Sequence, residues 1–362
     1  MKKEDIEIIY SSINYFIIAD IVSFNNTKIL KKSNNYIIEA GDFTNHLVFK
    51  FIRAGQLLYF EKYKDSPKYV LSSNSMCLLS ILEGLINYNN LSLDEIIINI
   101  RTSLINNYKN DTLKHKRNYN KYFIKYFINS SNINKYNTNS DSTIATRSVI
   151  FGLFFDDIDK LLYITINSGK LTNNNCISIL SGVSSALFSY FAKKNINKSK
   201  WIFKLLDILK SKKFENIILK NNKYIKEYKI DIDIFIYKLE KYISWRFDKN
   251  KKFINKEEMI YPNIRITEYF NRCSNNKNIF FPGSEGDDCI LIVYDCLLTS
   301  LNYESLVIYS IMHMGDSNSI GTIASILFYI IQKTNNIEYN YLPDILNDNI
   351  IKRLRNIIYK FK

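Results

Sequence analysis

Apolar residues recur at spacings of three and four along most of this chain. That spacing places them on one face of an α-helix, and no regular succession of alternating strand patterns bounded by glycine or proline turns competes with it. We therefore predict a single compact all-α domain over residues 1–362, with short β content left open. The predicted helical segments are 6–24, 46–52, 75–88, 93–104, 145–155, 177–192, 201–209, 230–245, 289–301, 303–314, 320–331 and 350–359.

Residues 106–142 lack an extended apolar period, except for the short apolar stretch 122–128. The segment mixes asparagine, lysine, tyrosine and serine, which predicts a long loop with one short helix. Basic residues at 114–117 stand beside Tyr119 and Tyr122, a combination that nucleic-acid-binding proteins use for phosphate contact and base stacking. A solvated loop is the interpretation we favour.

The net charge of the chain is +14, and it contains 27 tyrosines but only 4 prolines and 10 glycines. Heavy use of asparagine, isoleucine, lysine and tyrosine is typical of an AT-rich coding genome. The positive charge therefore need not reflect binding to a polyanion, and a nucleic-acid role needs clustered basic residues. The lysines between 210 and 229 are most simply the outer faces of helices and connecting turns. We do not expect nucleic acid as a partner.

The 5 cysteines show no C-x-x-C spacing, so neither a disulfide framework nor a zinc ribbon is indicated. Reduced, intracellular thiols are the default, and Cys289 and Cys296 are expected to pack on one helix face. Acidic residues precede the first apolar run, which argues against a secretory signal. The longest uncharged stretch, 171–192, contains three asparagines and five serines, so we predict a buried helix and no membrane span. A cytoplasmic, or alternatively nuclear, monomer is expected.

Four groups of residues stand out from this helical background. They are Gly-Asp-Ser-Asn-Ser at 315–319; Ser-Gly-Lys-Leu-Thr-Asn-Asn-Asn at 168–175 with Ser-Ala-Leu-Phe at 185–188; Gly-Ser-Glu-Gly-Asp-Asp at 283–288 with Tyr-Asp at 294–295; and Ala-Thr-Arg-Ser at 145–148 with Gly-Leu at 152–153.

In order and spacing these groups resemble the motifs of the ADP-ribosylglycohydrolases, which include ADP-ribosylarginine hydrolase and the dinitrogenase reductase-activating glycohydrolase. The resemblance spans about residues 5 to 345. It implies an all-α fold and Mg²⁺-dependent hydrolysis of the N-glycosidic bond between ADP-ribose and an arginine side chain. Proteins of this family hold two Mg²⁺ ions with oxygen ligands from two boxes that are distant in the chain. The implied partner is ADP-ribose or an ADP-ribosylated protein.

The resemblance assigns the metal ligands to Asp42, Asp316, Asn318 and Ser319, with Asp42 and Asp316 as catalytic residues. This chain departs from the family pattern at two acids, since Phe43 and Asn318 stand where the family has aspartates. Two Mg²⁺ ions about 4 Å apart repel each other by several kcal/mol unless carboxylates neutralise them. One ion or none is therefore expected here, with catalysis impaired or lost.

On the substrate side, the resemblance assigns contacts to Ser142, Thr143, Thr172, Asn173, Gly283, Ser284, Gly286 and Asp287. The family's glycine-rich phosphate loop is replaced by 139–143, where Asp141 would repel a diphosphate if it pointed inward. For Arg147 we favour a role in supporting this loop, and for Asp20 a role in supporting the cleft by hydrogen bonding. Asp288 is expected to cap the helix that starts near Cys289.

His46 and His313 lie beside the two boxes, and we predict that both are packing residues. Three functions stay open at this point. The chain is an active hydrolase in which Asn318 or Asp287 fills the gap, a pseudoenzyme that binds ADP-ribose without turnover, or an interaction scaffold whose cleft has closed around Phe43.

Overall fold

The computed structural model describes residues 3–30, 47–49, 51–53, 70–128, 135–274, 281–333 and 348–361. Within these ranges the chain is helical and forms no β-sheet, which confirms the predicted all-α fold. Two isolated bridges, Asp141–Glu285 and Phe247–Phe253, are the β pairings of the described residues. The α-helices are α1 Lys3–Leu30, α2 Ser73–Gly84, α3 Leu93–Asn110, α4 Thr143–Ser148, α5 Phe151–Phe154, α6 Ile158–Thr172, α7 Cys176–Lys193, α8 Trp201–Leu209, α9 Lys212–Leu219, α10 Ile225–Arg246, α11 Pro262–Arg272, α12 Gly286–Thr299, α13 Tyr303–Ser310, α14 Ser317–Gln332 and α15 Asp348–Phe361.

Several helix boundaries differ from the prediction. The predicted helix over 145–155 is two short helices, α4 and α5, and α3 extends through residue 110 into the predicted loop. The short helix predicted at 122–128 is a π-helical turn, Phe123–Ile128. Helices α6, α9 and α11 were not predicted, although each has buried apolar residues at helical spacing, such as Phe214 and Ile218 of α9. Local capping marks α6, since the side chain of Asp157 accepts hydrogen bonds from the backbone of Asp159 and Lys160.

Helix α7 lies at the centre of the core, packed against α4, α6 and α12. Small residues let the helices approach closely: a Cβ added at Gly182 would lie 2.5 Å from Ile144 Cγ2. Its serines are satisfied by carbonyl groups, for example Ser185 Oγ donating to Ala145 O at 2.8 Å. Cys289 and Cys296 of α12 are both buried, which confirms the packing role predicted for them.

Two helical segments have the length and apolarity to span a membrane: the Lys3–Phe24 part of α1, and α7. In the most apolar 18-residue window, 83% of the residues of α7 and 67% of those of the α1 segment are buried inside the protein. That degree of burial is typical of core helices. For α7, the burial agrees with the buried helix predicted from the serines and asparagines of residues 171–192.

Helix α1 lies along α14. This pairing positions the Gly-Asp-Ser-Asn-Ser motif at 315–319, which we call the C-terminal box. The α1 side of the contact is apolar, with Ile13, Phe16 and Ile17 fully buried. Asp20 lies one turn further along α1, is also fully buried, and faces the start of α14. The apolar contact therefore brings a carboxylate from near the N-terminus to the box at 315–319.

The Tyr-Asp motif at 294–295 forms a buried ionic cluster. Asp295 Oδ1 accepts from Arg246 Nε at 2.7 Å and from Tyr242 OH at 2.8 Å. Asp295 Oδ2 accepts from Arg265 Nη1 at 3.0 Å and from Tyr269 OH at 2.8 Å. Burial raises the pKa values of Tyr242 and Tyr269 well above the ordinary value for tyrosine. Both hydroxyl groups therefore keep their protons and donate hydrogen bonds to Asp295. One carboxylate thus fastens α10 and α11 to α12.

We expect Asp295→Asn to destabilise the protein strongly, because it leaves two buried guanidinium groups without their anion. Breaking a buried pair typically costs about 3–5 kcal/mol. For a chain of this size the melting temperature should fall by at least about 5 °C. The matched control is Asp233→Asn on α10, where the aspartate is exposed. Equal melting temperatures for the two variants would contradict the assignment.

Candidate functional site

The C-terminal box forms the N-terminus of α14. Asp316 is the N-cap residue, and its Oδ1 accepts from the backbone N–H of Ser319 at 3.3 Å. The backbone N–H of Asp316 donates to Pro282 O at 2.9 Å. A Cβ at Gly315 would lie 2.3 Å from the same carbonyl oxygen, so this close approach requires glycine. The box is thereby held against the loop that precedes α12.

Two loops pair beside the box and bring three predicted residues together. Ser142 N donates to Ser284 O at 3.1 Å, which aligns the 139–143 loop with the loop before α12. Ser142 Oγ then lies 3.2 Å from Asp316 Oδ2 and 3.0 Å from Ser319 Oγ. The carboxylate of Asp316 is half-buried, whereas the two serines are buried. Asp316, Ser319 and Ser142 form one hydrogen-bonded group.

Asn318 points away from this group, toward α1 and the start of α2. Its Nδ2 donates to Asp20 Oδ1 at 2.7 Å and lies 3.1 Å from Ser23 Oγ. Its Oδ1 accepts from Asn74 Nδ2 at 2.8 Å. Both ends of the amide are therefore used within the protein.

Asp20 is the centre of a buried hydrogen-bond network, which agrees with its predicted supporting role. Besides the Asn318 amide, it accepts from Ser72 N at 2.8 Å, from Ser72 Oγ, and from Ser75 Oγ at 2.7 Å. Burial raises the pKa of the Asp20 carboxyl above its ordinary value, and these hydrogen bonds offset part of that rise. The network joins α1, α2 and α14.

Arg117, one of the basic residues of the predicted loop, supports the start of α2. Its Nη1 donates to Leu71 O at 2.8 Å, and its Nε pairs with Asp111 Oδ2 at 2.6 Å. The Arg117 carbonyl also accepts from Ser73 N at 2.9 Å. Both ionic side chains are buried, so this arginine serves the fold, while the basic residues at 114–116 are exposed.

The carboxylate of Asp141 is held by donors from four side chains in and around the 139–143 loop. Thr143 donates to Oδ1 with both its backbone N–H and its hydroxyl. Oδ2 accepts from the amides of Asn120 at 2.9 Å, Asn173 at 3.1 Å, and Asn139. Burial raises the pKa of Asp141, and the hydrogen bonds from Thr143 and Asn173 oppose that rise. A carboxylate thus stands in the loop that the resemblance assigns to phosphate.

Arg147 and Thr172 lie behind this loop. Arg147 is buried and donates to Thr143 O at 3.2 Å and to Thr172 Oγ1. This is the supporting role favoured for Arg147. Asn173 Nδ2 also donates to Asn139 O at 2.8 Å. Neither Thr172 nor Asn173 is among the residues that line the cleft described below.

The acidic loop at 283–288 serves mainly to start α12, which begins at Gly286 and not near Cys289. The N-cap residue is Glu285 and not Asp288. Asp288, the third residue of the helix, accepts from Gly283 N at 2.9 Å and from Glu285 N at 3.0 Å, so it contributes to the cap through a capping box. Gly283 has φ +94°, a conformation that favours glycine. Asp287 is buried and pairs with Lys238 of α10 at 2.7 Å. It is not among the residues that line the cleft.

These loops surround a cleft of about 440 Å³. It is lined by residues 24, 72–74, 117–122, 139, 141–143, 281, 284, 316, 318 and 319. Six of the predicted site residues are among them: Ser142, Thr143, Ser284, Asp316, Asn318 and Ser319. Sequence reasoning missed the wall at 72–74, although a polar run before an apolar helical segment is a typical helix N-terminus. Asp42, Phe43 and His46 lie outside the described residues.

Of the four predicted metal ligands, the structure describes Asp316, Asn318 and Ser319, whereas Asp42 lies outside the described residues. Asp316 and Ser319 offer oxygen atoms at the cleft, which suits one hard cation. The amide oxygen of Asn318 is already bonded to Asn74. Within the described part of the chain, no three histidine, cysteine, aspartate or glutamate side chains come together as a metal site.

His313 orders the turn that leads into the box and is a packing residue, as predicted. Its Nδ1 accepts from Gly315 N at 3.0 Å, which assigns the ring proton to Nε2, where it donates to Ser310 O at 3.0 Å. The ring is buried, and burial lowers the pKa of His313 to about 4.

Several curated proteins resemble this chain, including the following two. The first is named "Putative ADP-ribosyl glycohydrolase L444", from Acanthamoeba polyphaga mimivirus, and is 31% identical over 239 residues, 60% of this chain and 45% of that protein. The second is ADP-ribosylhydrolase ARH1 from Dictyostelium discoideum, 29% identical over 193 residues, 49% of each chain. The matched region spans about half the length of these relatives. No family model matches the chain. The two relatives confirm the resemblance drawn from the motifs.

We expect His313 to make the protein acid-sensitive. The pKa of His313 is about 4 in the folded protein and near 6.5 in the unfolded chain. The contribution of the neutral, buried ring to the free energy of unfolding is therefore fully present above about pH 6.5 and is lost as the pH falls toward 4. At about pH 5 this loss amounts to about 2 kcal/mol. Melting temperatures at about pH 7 and about pH 5 should therefore differ less in His313→Gln than in the wild type. The control is exposed His115→Gln, which should behave like the wild type. An unchanged acid sensitivity in His313→Gln would count against this account.

Proposed function

We propose that this chain, which is related to the ADP-ribosylglycohydrolases, binds ADP-ribose attached to proteins in the cleft and hydrolyses its N-glycosidic bond to arginine only weakly. The observation that supports this most is the half-buried Asp316 carboxylate, presented to the cleft beside Ser142 and Ser319. The cleft volume of about 440 Å³ suits a ligand of nucleotide size.

In this proposal Asp316 is the catalytic carboxylate. Cleavage of the N-glycosidic bond develops positive charge at the anomeric carbon, which a nearby carboxylate stabilises. Ser142 orients that carboxylate through its hydroxyl contact. A Mg²⁺ ion, if bound by Asp316 and Ser319 together with Asp42, would orient the ribose hydroxyls and a water molecule. We propose one such ion at most.

Two features support weak turnover. Asn318 contributes no charge, and both ends of its amide are bonded within the protein, to Asp20 and Asn74. Asp141 stands at the cleft wall, where a carboxylate opposes the approach of a diphosphate. Compared with the family pattern, this chain therefore has less negative charge where a cation would bind and more where phosphate would bind.

A second candidate is a pseudoenzyme that binds ADP-ribose without turnover. The closed hydrogen-bond network around Asn318 favours it, because that part of the box is satisfied without a ligand. A monomeric state and a cytoplasmic or nuclear location stay predictions of the sequence.

The test is release of ADP-ribose from an arginine-ADP-ribosylated protein in millimolar Mg²⁺. We expect slow release that a chelator suppresses and that Asp316→Asn lowers at least about 100-fold, the typical effect of losing one transition-state-stabilising group. Asparagine is itself a good N-cap residue, so this variant keeps the start of α14. Asp233→Asn, on an exposed face of α10, is the matched control and should retain full activity.

Calorimetric titration with ADP-ribose separates the candidates. Binding without release would support the pseudoenzyme, and it should be unaffected by Asp233→Asn. A folded protein that neither binds ADP-ribose nor releases it would contradict both.

A further inference from the structure

The side chain of Asn318 has a fixed orientation in a buried place. Its nitrogen faces the Asp20 carboxylate, and its oxygen faces the amide nitrogen of Asn74. Turning the amide over would set an oxygen against the carboxylate and a nitrogen against a nitrogen, so the two partners determine the orientation. The backbone of Asn74 is held in the first turn of α2, where its N–H donates to Ser72 Oγ at 3.0 Å.

The Asp20 carboxylate is fully buried, and the four hydrogen-bond donors that the described part of the chain gives it are all neutral. They are one peptide N–H, two hydroxyls and the Asn318 amide. Burying a carboxylate is unfavourable unless its oxygens are paired. Asn318 supplies the donor on the α14 side.

We propose that Asn318 is a positioning residue that takes the place of a cation, so that this half of the box is organised by hydrogen bonds and is independent of divalent ions. An aspartate at this position would put two carboxylates within hydrogen-bonding distance. Two such groups cannot both ionise without a proton or a cation between them. The oxygens of Asp20, residue 318 and Ser23 would then form an oxygen-rich site of the kind that Mg²⁺ prefers.

This inference concerns the network around Asp20 and does not rest on the proposed function. Its test is therefore melting temperature, not activity, in chelator and in millimolar Mg²⁺. In chelator, both Asn318→Asp and Asn318→Ala should melt below the wild type. Mg²⁺ should raise the melting temperature of Asn318→Asp by about 5 °C more than that of the wild type, because a ligand that binds only the folded state stabilises it. Asn318→Ala should show no such extra gain.

A reciprocal variant covers the case in which Asn318→Asp does not fold in chelator. Asp20→Asn combined with Asn318→Asp restores one amide and one carboxylate to the pair. The double variant should fold in chelator, melt above Asn318→Asp, and lose the extra response to Mg²⁺. Any of three results would overturn the proposal: Asn318→Asp matching the wild type in chelator, Mg²⁺ raising all single variants equally, or a double variant that still needs Mg²⁺.

Discussion

The buried carboxylate of Asp20 is the group on which the arrangement of the cleft depends. It lies on α1 and is bonded to the residues that start α2 and to Asn318 on the first turn of α14. An ionised group without partners would be costly in this apolar contact between helices. Its hydrogen bonds join α1 to the start of α2 and to the first turn of α14. The wall at 72–74 and the box at 315–319 therefore meet at one cleft.

The cleft balances its charges mostly with neutral donors. Amides and hydroxyls surround Asp20, and three asparagine amides with Thr143 surround Asp141. One ionic pair, Arg117 with Asp111, lies at the cleft wall. The pair of Lys238 with Asp287 and the two arginines around Asp295 involve residues that do not line the cleft. Hydrogen bonds to neutral donors are directional, so they can order a polar site without bound ions.

The helical periodicity was sufficient to predict the fold class and several helices closely, including the ends of α8. Helices α6, α9 and α11 were missed, although each carries an apolar stripe that is buried in the fold, such as Ile266 and Tyr269 of α11. The motifs also predicted a shared location for Ser142, Asp316 and Ser319. They could not separate residues facing the cleft from residues behind it, as Thr172 and Asp287 illustrate, because orientation depends on the partners that each side chain finds.

The sequence by itself determined the helical architecture and the order of the motifs, because these follow from residue type and spacing. The resemblance of those motifs to a known family implied that Asn318 stands where a carboxylate is expected. Only the tertiary structure decided what the replacement does. Asp20 and Asn74 are 298 and 244 residues from Asn318 in the chain, yet both bond to its amide. No local pattern encodes such a contact, since it arises when apolar helix faces pack and buried polar groups must then be paired.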